Sequence, residues 1–118
     1  MAENILEKII ESKKKRIDYL KKSISIESLQ AKIEENKSFI NFKEKIKINE
    51  NKNKISIIAE IKKASPSAGL IIENYDPVNI ANIYNKNKAT CLSVLTEEDF
   101  FLGNLLHITK IKQKINLP

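Results

Sequence analysis

Ile55-Ser56-Ile57-Ile58-Ala59-Glu60-Ile61-Lys62-Lys63-Ala64-Ser65-Pro66-Ser67-Ala68-Gly69 reads first as a buried strand and then as a polar loop. The run from Ile55 to Ile61 is β-branched and nearly continuous in apolar character, which suits a strand covered on both faces, as in a parallel sheet. Glu60 interrupts it near its carboxyl end and Lys62 follows two residues later. Side chains alternate along a strand, so Ile58, Glu60 and Lys62 share one face. A carboxylate and an ammonium at the end of a buried strand are costly unless they are paired or used. They read either as a structural ion pair or as groups kept for a ligand. Ser65-Pro66-Ser67 and Gly69 then supply turn chemistry, small hydroxyls and room for a ligand to approach the backbone.

Outward from this stretch the chain falls into two parts. Residues 1–53 form a helical N-terminal extension. Residues 3–22 carry Ile5, Leu6, Ile9, Ile10, Ile17 and Leu20 at helical spacing, with Asn4 placed to cap and Glu7 three residues on. Ser25 caps a second helix bearing Ile26, Leu29 and Ile33, and residues 38–45 suggest a short third one with Phe39, Ile40 and Phe42. Residues 49–53 lack periodicity and read as a polar linker.

Residues 54–118 alternate strand and helix. The first strand covers about 54–61, and a loop over 62–75 follows that is long for a βα connection, which ordinarily takes about 2–6 residues. Asp76-Pro77 opens a helix, with Asp as cap and Pro at the first position. Val78, Ile80, Ala81, Ile83 and Tyr84 give that helix an apolar side. Residues 89–95 form a second strand and 96–103 its loop. A further helix follows with Leu105, Leu106, Ile108, Ile111 and Ile115 inward, and residues 115–118 approach a third strand. The order β-α-β-α-(β) predicts parallel strands with crossover helices, either in a (β/α)8 barrel or in a doubly wound sheet. A glycine-rich dinucleotide fingerprint is missing from a chain with 2 glycines, which weighs against a nucleotide-binding sheet.

Composition narrows the function classes. The 118 residues are 42% apolar and 31% charged, as in a soluble globular domain. No apolar run approaches the roughly 20 residues that span a membrane. Acidic and basic residues break up the first apolar positions, so the N-terminus lacks a signal-peptide layout and a cytoplasmic location is expected. The single cysteine, Cys91, sits in an apolar run and reads as a small core residue. His107 has apolar neighbours and forms no standard metal-ligand spacing with Cys91, so no metal site is expected. A net charge of +6 raises nucleic-acid binding as an alternative. The lysines are spread along the chain, however. The dense run Lys13-Lys14-Lys15-Arg16 lies on an amphipathic helix without a nucleic-acid motif, and an anionic small molecule would profit from the same potential.

Glu60-Ile61-Lys62-Lys63-Ala64-Ser65-Pro66-Ser67-x-Gly69 resembles the first-strand signature of the indole-3-glycerol-phosphate synthases. Asp76-Pro77, Ser93-Val94-Leu95-Thr96-Glu97 and Phe100-Phe101-x-Gly103 match the same family in order and spacing. The resemblance implies an α/β fold: the N-terminal part of a (β/α)8 TIM barrel preceded by a helical extension. It also implies a carboxy-lyase of tryptophan biosynthesis. The family closes an indole ring on 1-(2-carboxyphenylamino)-1-deoxyribulose 5-phosphate, with loss of CO2 and water and without cofactor or metal.

By the same resemblance Lys62 is the strand-one lysine that meets the anionic substrate and assists acid catalysis. An ammonium about 4 Å from an anion at an effective dielectric of about 20 gains roughly 4 kcal/mol. Glu60 would hold or tune catalytic lysines. Ser65 and Ser67 would bind substrate or shape the loop, and Leu95 and Phe101 would line the apolar part of the pocket. Lys63 faces the other way, and Ala68 stands where many relatives carry lysine. A principal general acid, a general base and the main phosphate site are implied on later strands. A whole barrel takes about 250 residues. The sequence therefore reads as the N-terminal part of a synthase, truncated or split: a half-site, inactive alone, whose exposed apolar faces leave it marginal, aggregating or dependent on a partner such as a complementary C-terminal half-barrel or a homo-oligomer.

Overall fold

The computed structural model describes residues 4–118, which form two compact units, 4–39 and 40–118. Glu3, included in the first expected helix, lies outside the described residues. The first unit holds α1 (Ile5–Ser23) and α2 (Ile26–Glu35). Both starts are fixed locally. Asn4 Oδ1 accepts the amide of Leu6 at 3.0 Å, and Ser25 Oγ accepts that of Ser28 at 3.1 Å. Such caps satisfy amides that a helix start leaves open. Neither helix buries a residue, so the apolar stripe that predicted them is present but uncovered in this chain.

The second unit opens with α3 (Phe42–Asn51), capped by Asn41, whose Oδ1 accepts the amide of Glu44 at 3.0 Å. This corrects both the helix expected over 38–45 and the linker expected over 49–53. The cap sets a later start, and the helix runs through Asn51. Asn53 takes φ 52, and the Lys54 amide returns to the Asn49 carbonyl at 2.8 Å. The polar composition of this turn hid a tertiary bond: Asn49 Nδ2 donates to Ser56 Oγ (3.1 Å) and to Thr90 Oγ1 (3.2 Å). Thr90 Oγ1 also accepts the Ile57 amide at 3.0 Å. Thus α3 is fastened to the entrances of both main strands.

Those strands are β1 (Ile58–Ile61) and β4 (Cys91–Val94), paired in parallel with Ile58 opposite Cys91 and Ile61 opposite Val94. Between them lies a small antiparallel pair, β2 (Ala64–Ser65) and β3 (Gly69–Leu70), inside the long loop. Gly69 makes its turn with φ +66, a conformation that favours glycine. The ladder covers only the last four residues of the expected first strand, and only one of its faces is covered. Ile61 is fully buried and Ala59 is buried, whereas Ile58 is 52% exposed.

The covered face packs on α4 (Pro77–Lys86) and α5 (Leu105–Lys112). Asp76 caps α4, its Oδ1 taking the Asn79 amide at 3.0 Å, and Pro77 occupies the first turn as expected. The core is Ile61, Ala81, Ile111 and Ile115, with Tyr75, Val78, Ile80, Tyr84, Leu92, Val94 and Leu117 packed around it. Burial of a side chain the size of Ile61 stabilises by about 1.5–3 kcal/mol. The inward face of α5 differs from expectation. Leu105 and Leu106 are 68% and 61% exposed and Ile108 is also exposed. The helix is only eight residues long; Ile111 is its buried residue, and Ile115, just past its end, joins it in the core. The final residues do approach the sheet, since the Leu92 amide donates to the Pro118 carbonyl at 2.8 Å.

Candidate active site

The parallel register carries the two βα loops to the same end of the sheet. Glu60 pairs with Ser93 and Ile61 with Val94, and the Leu95 amide donates to the Ile61 carbonyl at 3.1 Å. Lys62 is therefore level with Leu95, one place beyond the ladder. Lys62 Nζ lies 3.0 Å from Glu60 Oε1, as alternation along the strand requires. The side chains are 31% and 50% exposed, respectively. A pair this open contributes at most about 1 kcal/mol to stability. The ammonium thus stays partly open to solvent beside the carboxylate. The Glu60 backbone is held from behind, because Tyr84 Oη donates to its carbonyl at 2.9 Å. In the sequence Tyr84 shows only as part of an apolar helix face.

Ser65 is buried. Its Oγ accepts the Ala68 amide at 3.1 Å and lies 3.4 Å from the Ser67 hydroxyl. In this arrangement Ser65 shapes the turn, while Ser67 stays exposed. Lys63 anchors the same loop by its main chain, accepting the amides of Ile71 (2.9 Å) and Ile72 (3.3 Å).

On the neighbouring strand end, Leu95 and Phe101 are both half-buried. The loop between them is turned by Glu97. Its Oε1 accepts the Asp99 amide at 2.9 Å, and its Oε2 accepts those of Phe100 (2.7 Å) and Phe101 (3.0 Å). The Gly103 amide donates to the Glu97 carbonyl at 2.7 Å. A Cβ on residue 103 would stand 2.2 Å from the Leu95 carbonyl oxygen, so glycine is required by close backbone approach. The roles of Glu97 and Gly103 were not read from the sequence. The signal was there in the acid followed by Phe-Phe-x-Gly.

Among the described residues no cluster of His, Cys, Asp and Glu could hold a metal ion, and no helix is long and apolar enough to cross a membrane. Burial pushes the Cys91 thiol up, against a smaller downward pull from Lys45. Two cavities lie away from the ion pair. One of about 340 Å³ is lined by Asp76, Asn79, Asn82 and Lys114, and one of about 140 Å³ by Leu92, Val94, Ile108, Ile111 and Leu117. The Glu60–Lys62 pair instead stands on the open side of the sheet.

Parallel strands joined by helices, with polar chemistry and long loops at their carboxyl ends, define a βα-repeat protein built like an enzyme. Comparison with known proteins makes this specific. The family model for indole-3-glycerol phosphate synthase matches residues 6–118. The indole-3-glycerol phosphate synthase of Desulforamulus reducens is 44% identical over 114 residues, covering 97% of this chain and 42% of that protein. The protein of the same name from Trichodesmium erythraeum is 39% identical over 115 residues, covering 98% and 38%. That from Prochlorococcus marinus strain AS9601 is 43% identical over 117 residues, covering 99% and 39%. The chain belongs to the indole-3-glycerol phosphate synthase family. It spans about two fifths of the length of these relatives.

Proposed function

We propose that this chain supplies the strand-one and strand-two side of an indole-3-glycerol-phosphate synthase site, acting in the cytoplasm in tryptophan biosynthesis. The reaction is ring closure of 1-(2-carboxyphenylamino)-1-deoxyribulose 5-phosphate with decarboxylation and dehydration. The observation that carries this reading is the Lys62–Glu60 pair, 3.0 Å apart at the carboxyl end of β1 and level with Leu95 on β4.

Each group has a task in that chemistry. The Lys62 ammonium attracts the substrate carboxylate and donates a hydrogen bond to the oxygen that leaves. Glu60 holds the Lys62 side chain in place. Leu95 and Phe101 give the aromatic ring an apolar wall, and Ser67 offers a hydroxyl at the rim. Ser65 keeps the loop in shape. The protein's own groups carry this chemistry, with no cofactor assigned.

A second acid–base group and a phosphate site complete the reaction, and a (β/α)8 barrel would place them on further strands. The 118 residues by themselves are therefore expected to give no turnover, and the rest would come from further strands, on a longer chain, a complementary half-barrel or an oligomer. The test is an assay of the purified 118-residue chain and of the product as made in the source cell. Indole-glycerol phosphate formed by the latter only, and lost with Lys62→Ala, supports the reading. Formation by the 118 residues alone contradicts it.

A further inference from the structure

Tyr75 and His107 meet edge to face, with ring centroids 5.6 Å apart and an interplanar angle of 63°. Tyr75 is the last residue of the long β1–α4 loop, directly before the Asp76 cap. His107 lies in the first turn of α5, on the same row as Ile111 and Ile115. The contact thus joins the root of the loop that bears Ser65 and Ser67 to the helix that follows β4. Two atoms in it, Tyr75 Oη and His107 Nδ1, are buried without a hydrogen-bond partner.

We propose that this contact is a proton-operated latch: with His107 neutral it fastens the root of the β1–α4 loop to α5, and protonation of the ring releases it. The imidazolium carries N–H on both ring nitrogens, so it would bury a cationic donor at Nδ1 with no acceptor, which is costly. The charges acting on the ring are Lys110 from its own helix and Lys63 from the turn after β1, and both repel a cation. On the Tyr75 side, Asp76 has Oδ1 engaged by the Asn79 amide. Burial, then Lys110 and Lys63, accordingly hold His107 below the usual imidazole value. The sign follows. A depressed folded value means the unfolded chain takes up the proton first, so the latch holds above about pH 6.5 and weakens as pH falls below it.

The test starts with the native chain, where His107 is the single histidine. Proton NMR of the ring should show one titration below about pH 6.5. Hydrogen exchange, corrected for intrinsic rates, should rise several-fold for amides 71–76 between about pH 7.5 and about pH 5, leaving β4 unchanged. His107→Leu should abolish that response. A ring titrating at or above about 6.5, exchange that rises everywhere alike, or a response that survives in His107→Leu would overturn the proposal. The first two measurements decide even where the variant does not fold.

Discussion

The phenol of Tyr84, on α4, donates to the main-chain carbonyl of Glu60, on β1, at 2.9 Å. The bond ties the crossover helix to the strand residue whose side chain steadies Lys62. Tyr84→Phe removes one hydrogen bond and leaves the ring in place. It should cost about 0.5–1.5 kcal/mol, read as a lower urea midpoint with unchanged slope.

Gly103 faces a stricter limit. Its missing side chain would overlap the Leu95 carbonyl and the Thr96 carbonyl carbon, all main-chain atoms that cannot swing aside. Gly103→Ala should destabilise the chain by roughly 1–3 kcal/mol and disorder the loop that carries Phe101. Gly69→Ala meets no atom within 4 Å and is penalised only through its φ of +66, so it should cost less.

Asn49 makes two side-chain bonds from α3 to the strand entrances. Asn49→Ala should cost about 1–3 kcal/mol, because Thr90 is buried and keeps only the Ile57 amide. Amide exchange at Ile57 and Thr90 should rise more than at α5.

Cys91 is fully buried, and burial raises its thiol above the ordinary range. The thiolate is the reactive form, so labelling by a thiol reagent near neutral pH should be slow in the native chain and rapid after denaturation. Fast native labelling would show that β4 opens readily.

Much of the local structure was legible in single residues. Asn4, Ser25 and Asp76 cap the helices they were expected to cap, since a cap acts within three residues. The shared face of Glu60 and Lys62 follows from a period of two and needs no tertiary knowledge. What stayed hidden depends on partners far along the chain. Asn49 in a polar run looked like linker because its partner Thr90 is 41 residues away. Leu105 and Leu106 looked inward because composition does not say which apolar row a short helix packs. The β2–β3 pair spans two residues per strand, too short for alternation to appear. In the site, the charged pair could be read, but Glu97 could not be told from any loop carboxylate until its three amide bonds were seen.

The most direct measurement is turnover of 1-(2-carboxyphenylamino)-1-deoxyribulose 5-phosphate by the gene product as made in its source cell, before and after Lys62→Ala. Indole-glycerol phosphate formation should fall at least about 100-fold in the variant. No turnover by the unaltered product, or turnover that survives the loss of Lys62, would overturn the role proposed for Lys62.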